Sequence, residues 1–445
     1  MSLLYTLAIH LFGLLARIAA RFKPSARSWV EGRRHWHDRL EADIKKRNRN
    51  LVWFHAASLG EFEQGRPIIE RVREDYPDLS ILLTFFSPSG YEVRKDYDKA
   101  DHVHYLPLDT PANARRFLDT VQPKLAVFIR YEYWYNFLRA MFRRDIPVVI
   151  ASAIFRQGQV FFRPYGTWTR QALRRIAHFF VQNEESLELL DSIGIRNREL
   201  SGDTRFDRVW DAAQEKREFP LVERFLAGRT CLMAGSTWPF DDRLLEEILP
   251  AFPDLKFVIV PHHVDGANIR RIVDLFGGRA ALYSKGEAQE LAGRQVLVVD
   301  TIGILTYLYR LADLTYIGDG FGAGIHSILE PAAFGMPIFF GPNYRDFQEA
   351  VDLVERKGAF AVNDREELIE GILRFAGDEG ARQKVGQICR DYIREKKGAT
   401  ERVMIGLRKY LGEPGERAKG KGERAKVKGV RADRSRRKIG EDACT

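Results

Sequence analysis

The sequence predicts an α/β protein made of two parallel-sheet halves, and three observations lead there. Short apolar segments bounded by turn residues alternate with helix-length amphipathic stretches, the pattern of parallel strands covered on both faces by helices. These segments form two series, separated by the polar and charged stretch from Trp210 to Arg229. Within the second series, a strand, a glycine-rich loop, a short helix and another strand follow one another directly from Leu314 to Phe340. A chain of 445 residues is long enough for two such domains with separate cores, and no internal repeat points to a solenoid instead.

From the amino end, the first element is LLYTLAIHLFGLLARIAARF, an apolar run broken by His10 before Arg17 and followed by Arg21, Lys23 and Arg27. It is short for a membrane span. No basic residue precedes it and no small-residue cleavage site follows, which argues against a signal peptide. Residues 1–28 are therefore expected to form a membrane-anchoring helix lying in the cytoplasmic face, with the arginines at the headgroups. A core-packing helix has the same periodicity and is the alternative. Strands are expected at Leu51 to Ala56, Ile81 to Phe86, Leu125 to Arg130, Val148 to Ser152 and Phe179 to Gln182, making a Rossmann-like domain over 29–210. A linker at 211–228 would lead to a second such domain over 229–380, with strands at Cys231 to Gly235, Phe257 to Val260, Val296 to Asp300, Leu314 to Ile317, Pro337 to Phe340 and Ala359 to Val362. The helical pattern over 381–411 would pack back across both domains.

Residues 412–445 have almost no large apolar side chains and many lysines and arginines, the composition of a basic disordered tail. Adhesion of that tail to anionic lipid or RNA is the sharper reading. Much of the formal charge of +9 lies at the two ends. No nucleic-acid-binding module is present, so no nucleic-acid partner is expected, and an RNA-binding protein acting through its tail is only a remote alternative. Cys231, Cys389 and Cys444 are widely spaced, without a C-x-x-C pair, which suggests neither a disulfide framework nor a zinc site.

Chemistry is expected beyond the carboxyl ends of the strands, where ligands of open α/β sheets lie. Two such sheets facing each other would enclose a cleft. After Ile317, the glycines 318, 320, 322 and 324 supply a loop whose backbone can approach a ligand closely. His326 and Ser327 stand where a helix begins, so that free amides and the helix dipole would face a phosphate, and Glu330 is placed to accept from ribose hydroxyls. Pro331 fits the first turn and Gly335 closes the helix. The whole reads as a nucleotide-sugar cradle. After Ala56, the run ASLGEFEQGRP puts Ser58, Gly60 and Glu61 in a strand-to-helix loop. Glu61 suits a general base, and equally suits a cap of the next helix or a partner of Arg66. The D-x-D at Asp96 to Asp98 lies in a polar, lysine-flanked stretch and reads as a surface turn, and the adjacent His262 and His263 point to opposite faces, so no metal site is expected.

The segment GDGFGAGIHSILEPAAFGMP resembles the donor-binding motif of GT-B glycosyltransferases. With HAASLGE, Glu132 in EYW, QNE at 182–184, GDTRFD at 202–207 and DTIG at 300–303, the chain from about Trp29 to Tyr410 resembles the 3-deoxy-D-manno-octulosonic acid (Kdo) transferases. The resemblance implies a GT-B fold and transfer of Kdo from CMP-Kdo to the lipid A precursor, lipid IVA, with inversion, at the cytoplasmic face of the inner membrane. It implies Glu61 as the catalytic base, with Ser58, Gly60, Glu132 and Arg205 on the acceptor and Kdo side. It assigns Ser236, Thr237, His263, Gly320, His326, Ser327 and Glu330 to CMP. No cofactor is implied, since CMP-Kdo is a substrate and transfer needs no metal; the partners are CMP-Kdo, the lipid A precursor and anionic lipids of the inner membrane. Arg33, Arg34 and Arg39 are candidate holders of the acceptor's phosphates, or else part of a solvated face. The pattern is broken at Arg130, Arg205, Trp238, His262, Ile304 and Ser327. A GT-B transferase or nucleotide-sugar epimerase of other specificity is the alternative.

Overall fold

The computed structural model describes residues 2–44, 50–286, 291 and 293–414. The chain divides into two units, one running to Thr204 and resuming at Gly398, the other comprising Arg205–Lys397.

The first unit contains seven strands: β1 (Leu51–Ala56), β2 (Ser80–Phe85), β3 (His102–Tyr105), β4 (Leu125–Ile129), β5 (Val148–Ala153), β6 (His178–Val181) and β7 (Arg198–Leu200). All pair in parallel, in the order β3-β2-β1-β4-β5-β6-β7. Every residue of β1 is buried, because a central parallel strand is covered on both faces. On one face Trp53 packs among Phe117, Phe128 and Phe137. On the other, Val52 and Phe54 join Phe62, Ile69 and Leu407.

The second unit repeats the plan with β8 (Cys231–Thr237), β9 (Lys256–Pro261), β10 (Ala280–Leu282), β11 (Val296–Val298), β12 (Leu314–Ile317), β13 (Ile338–Phe340) and β14 (Ala359–Ala361). Their order is β10-β11-β9-β8-β12-β13-β14, again all parallel. In the first sheet the direction of winding reverses between β1 and β4, and in the second between β8 and β12. A crevice opens at the carboxyl ends of strands at such a reversal, so topology alone directs attention to four loops.

Three boundaries differ from the expectation. The division falls between Thr204 and Arg205, not in the polar stretch after Trp210. Residues 211–228 are no linker: they carry the end of helix Arg205–Gln214 and all of helix Pro220–Leu226, whose Val222 and Phe225 are fully buried. Residues 381–411 form two helices, Glu379–Lys396 and Ala399–Leu411, because Lys397 is extended and Gly398 turns at φ +99. The first belongs to the second unit and the next to the first, where Gly406 lets it approach Phe180: a Cβ there would lie 2.3 Å from the ring.

Helix Ser2–Ala19 packs one face on the first unit. The Tyr5 hydroxyl donates to Asp109 at 2.6 Å, Tyr5 meets Tyr135 edge-on, and Phe12 meets Trp29. Its other face leaves Leu3, Leu7, Leu11 and Leu14 exposed. No helix among the described residues is long and apolar enough to cross a membrane. Residues 415–445, nearly all of the basic tail, and Cys444 with them, lie outside the described residues.

Candidate active site

In the first unit, β1 delivers the chain to Ser58, the N-cap of helix Leu59–Asp75. The Ser58 amide donates to Glu61 Oε2 at 2.8 Å, and the Ser58 hydroxyl bonds to the same oxygen. Glu61 is therefore the reciprocal member of a capping box, which holds its carboxylate at the mouth of the strand with only 9% exposure. Arg66 pairs with Glu70, one turn further along the helix. Gly60 is exposed, and a Cβ there would meet nothing closer than Ser58 Oγ at 3.8 Å.

Glu132 follows β4 across the reversal and brings Oε2 to 3.7 Å from His55 Nε2. His55, the fifth residue of β1, is fully buried and accepts from Trp134 Nε1 at 3.0 Å. An indole N–H only donates, so the neutral imidazole carries its proton on Nδ1, which reaches the Thr84 carbonyl at 3.1 Å. With Nε2 occupied as an acceptor, the neutral His55 is a neighbour of the Glu132 carboxylate and not a donor to it. Neither His55 nor Trp134 was singled out in the sequence, where the two positions are 79 residues apart. Arg130 sits between these elements with φ 71, its Nε buried without a hydrogen bond among the described residues.

Arg205 belongs to the second unit, where it opens helix Arg205–Gln214 and is ion-paired to Glu349 at 3.2 Å, while Phe206 beside it packs on Tyr392. Other family-like residues prove structural. Gln182 bonds Gln64 and the Ser152 carbonyl at 3.2 and 2.9 Å, Asn183 caps helix Glu184–Ser192, and Thr204 donates to the Gln64 carbonyl. The D-x-D lies in a turn, with Asp98 paired to Lys99.

In the second unit the loops after β8, β9 and β12 meet. Ser236 and Asp319 adopt φ 55 and 67 at the ends of β8 and β12, a conformation costly for residues with a Cβ and characteristic of functional turns. Asp241 locks the two loops together: its carboxylate accepts from the amides of Trp238 and Asp319, both at 2.9 Å, and from the Tyr316 hydroxyl at 2.7 Å. Burial nevertheless pushes its pKa up. Gly320 serves close packing, since a Cβ there would fall 2.4 Å from the Gly341 amide. Thr237 is buried beside Asp242, whereas His263 is exposed. His326 precedes helix Leu329–Phe334 rather than opening it, and burial, followed by the neighbouring His262, lowers its pKa. Ser327 donates to Glu330 at 2.5 Å, which turns that carboxylate toward the loop. Trp238, His262 and His326 come together as a cluster of rings.

Two parallel-sheet α/β units with these groups at their winding reversals are consistent with the GT-B class of glycosyltransferases. The 3-Deoxy-D-manno-octulosonic-acid transferase (kdotransferase) family matches residues 34–208. A 3-deoxy-D-manno-octulosonic acid transferase of Haemophilus influenzae is 28% identical over 378 residues, covering 81% of this chain and 87% of that protein. One from Aquifex aeolicus is 26% identical, over 73% of this chain and 85% of the relative. Among solved structures, UDP-GlcNAc 2-epimerase from Neisseria meningitidis superposes with a TM-score of 0.56 at 16% identity, covering 81% of this chain and all 100% of that one. A glycosyltransferase from Rickettsia africae gives 0.52 at 11% identity, over 82% and 100%. These comparisons support a glycosyltransferase of the Kdo-transferase-like kind.

Proposed function

We propose that this enzyme transfers Kdo from CMP-Kdo to a hydroxyl of lipid IVA, inverting the configuration at the transferred carbon. The observation that carries this reading is the loop after β12, where the His326 ring, the Ser327 hydroxyl and Glu330 stand together at a winding reversal of the second sheet. The neutral His326 ring suits the single phosphate of CMP as a donor, and Glu330, held by Ser327 one turn on, suits its ribose hydroxyls. Ser236 and Gly320 would add backbone contacts, with His263 and Thr237 at the periphery. In the first unit, Glu61 would take the proton from the acceptor hydroxyl as its oxygen attacks the Kdo carbon and CMP departs with the bonding pair. Ser58 and Gly60 shape that turn, and Glu132 would orient the sugars.

The acceptor is a phosphorylated lipid, and helix Ser2–Ala19 with its exposed leucines would lie in the cytoplasmic face of the inner membrane. Beside it, Arg17, Arg21, Arg27 and Arg34 line a cavity of about 1120 Å³ that would receive the acceptor's phosphates. Arg33 and Arg39 are otherwise engaged: Arg33 donates to the carbonyls of Trp29, Phe86 and Leu106, and Arg39 to those of Gly32 and Arg34.

The test is a transfer assay with lipid IVA and CMP-Kdo generated in place, with EDTA added before the enzyme and products read by mass. A gain of one or more Kdo units supports the reading, including transfer without metal. CMP binding without any gain redirects it to another acceptor or another CMP sugar. Protection by UDP sugars in preference to CMP would favour the alternative of a different GT-B transferase or epimerase.

A further inference from the structure

Trp238, His262 and His326 come from the ends of three different strands, and their rings form one arrangement. The Trp238 Nε1–H donates to His326 Nε2 at 3.0 Å. Because indole offers only a donor, Nε2 of His326 must be unprotonated, and the neutral ring then carries its proton on Nδ1. Nδ1 has no hydrogen bond to another described residue. His262 lies over both members of the pair, stacked on Trp238 with centroids 5.0 Å apart and planes 16° apart, and on His326 at 4.5 Å and 22°. The bonded rings share a common cover, which fixes the plane of His326 as well as its tautomer. Trp238 is itself anchored through its amide on Asp241, the residue that ties the β8 and β12 loops together.

We propose that Trp238 is a positioning residue that holds His326 in its Nδ1–H form, so that the ring meets an anionic ligand as an uncharged hydrogen-bond donor. The ligand half of this proposal rests on reading the β12 loop as the CMP site. A protonated His326 would set Nε2–H against the indole N–H and lose the bond. The surroundings act in the same direction, since burial and His262 lower the pKa of His326 while Asp319 opposes them. His326 is thereby suited to donate without adding a charge to the loop.

The experiment uses the full chain with ring-labelled histidines, comparing wild type with Trp238→Phe. The phenylalanine keeps a flat ring under His262 and removes only the donor. Nitrogen NMR reads the His326 tautomer, with the resonance assigned by its loss in His326→Gln, and calorimetry reads CMP affinity. Wild type should show Nδ1–H alone. Trp238→Phe should show a mixture of tautomers and bind CMP about three- to tenfold more weakly, the effect of one neutral hydrogen bond. Trp238→His, which restores a ring N–H, should recover part of both. An Nε2–H form in wild type, or an unchanged tautomer and CMP affinity in Trp238→Phe, overturns the proposal. Should Trp238→Phe fail to fold, the wild-type tautomer decides alone. Wild type with the Nδ1–H form but no CMP binding overturns the donor-site reading and the ligand half of the proposal, an outcome distinct from a wrong tautomer.

Discussion

Glu61 is engaged as a helix cap and is also the proposed base, and its two roles can be separated by chemistry. Capping needs an acceptor for the Ser58 amide, which a carboxamide oxygen supplies; taking a proton needs a carboxylate. Glu61→Gln should therefore keep the thermal midpoint close to wild type while transfer falls below detection. Glu61→Ala should lose transfer and, in addition, about 0.5–2 kcal/mol of stability, measured by denaturant unfolding. CMP binding should survive in both. Near-normal turnover in Glu61→Gln would leave Glu61 with the cap alone. Gly320 gives a second test at this scale: an alanine Cβ there meets backbone at Gly341 that cannot yield as a side-chain tip would. Gly320→Ala should therefore weaken CMP binding at least tenfold, by calorimetry, because the β12 loop must shift away from the strand end. The candidate site was legible where its residues share a local run, as in SLGE and GIHSILEP. The pairing of Trp238 with His326 joins positions 88 residues apart, and that of Trp134 with His55 joins positions 79 apart, so neither leaves any trace in spacing.

At the scale of elements, the interior strands were legible and three edge strands were not. HVHY, REL and AAL form β3, β7 and β10, each at the margin of its sheet and only partly buried, so they lack the continuous apolar run of a doubly covered strand. The amino-terminal helix was legible as an element, while its attachment was not. That attachment runs through Asp109, which is fully buried, accepts from the Tyr5 hydroxyl, and receives the amides of Asn136 and Phe137 at 3.1 and 2.9 Å. Burial outweighs these bonds and pushes the pKa of Asp109 up to about 6 from an ordinary 3.8. Between those values the folded protein holds a proton that the unfolded chain has released, so this residue's contribution to stability is fully present below 3.8 and is lost as pH rises through about 6. Asp109→Asn removes the titration and keeps one oxygen, which can still accept from the Tyr5 hydroxyl and the Asn136 amide while its NH2 faces the Phe137 amide, a cost that does not vary with pH. The difference in unfolding free energy between wild type and this variant should drift by roughly 3 kcal/mol across the window, against wild type as pH rises. A pH-independent difference would show that Asp109 titrates normally.

For the whole molecule, the question is how a chain with no spanning helix among its described residues would reach a lipid acceptor. Leu3, Leu7 and Leu11 are 85%, 66% and 54% exposed on a helix whose opposite face is anchored by Tyr5 and Phe12, so burying them requires no unfolding. Insertion of each side chain into the interface is worth roughly 1.5 kcal/mol at the low end of the range for leucine, or about tenfold in partitioning. Arg17 in the last turn of the same helix and Arg21 in the turn after it would add about 1 kcal/mol each near an anionic surface, a contribution that salt screens. The two terms predict different signatures. Replacing the three leucines with serine should reduce sedimentation with phosphatidylglycerol vesicles by orders of magnitude at every ionic strength, with unchanged thermal stability and CMP affinity. Replacing Arg17 and Arg21 with alanine should weaken binding mainly at low salt and leave the residual affinity for neutral phosphatidylcholine vesicles untouched. If the serine variant binds vesicles as wild type does, the exposed leucines are not the membrane contact, and the acceptor must be drawn from the bilayer by another surface.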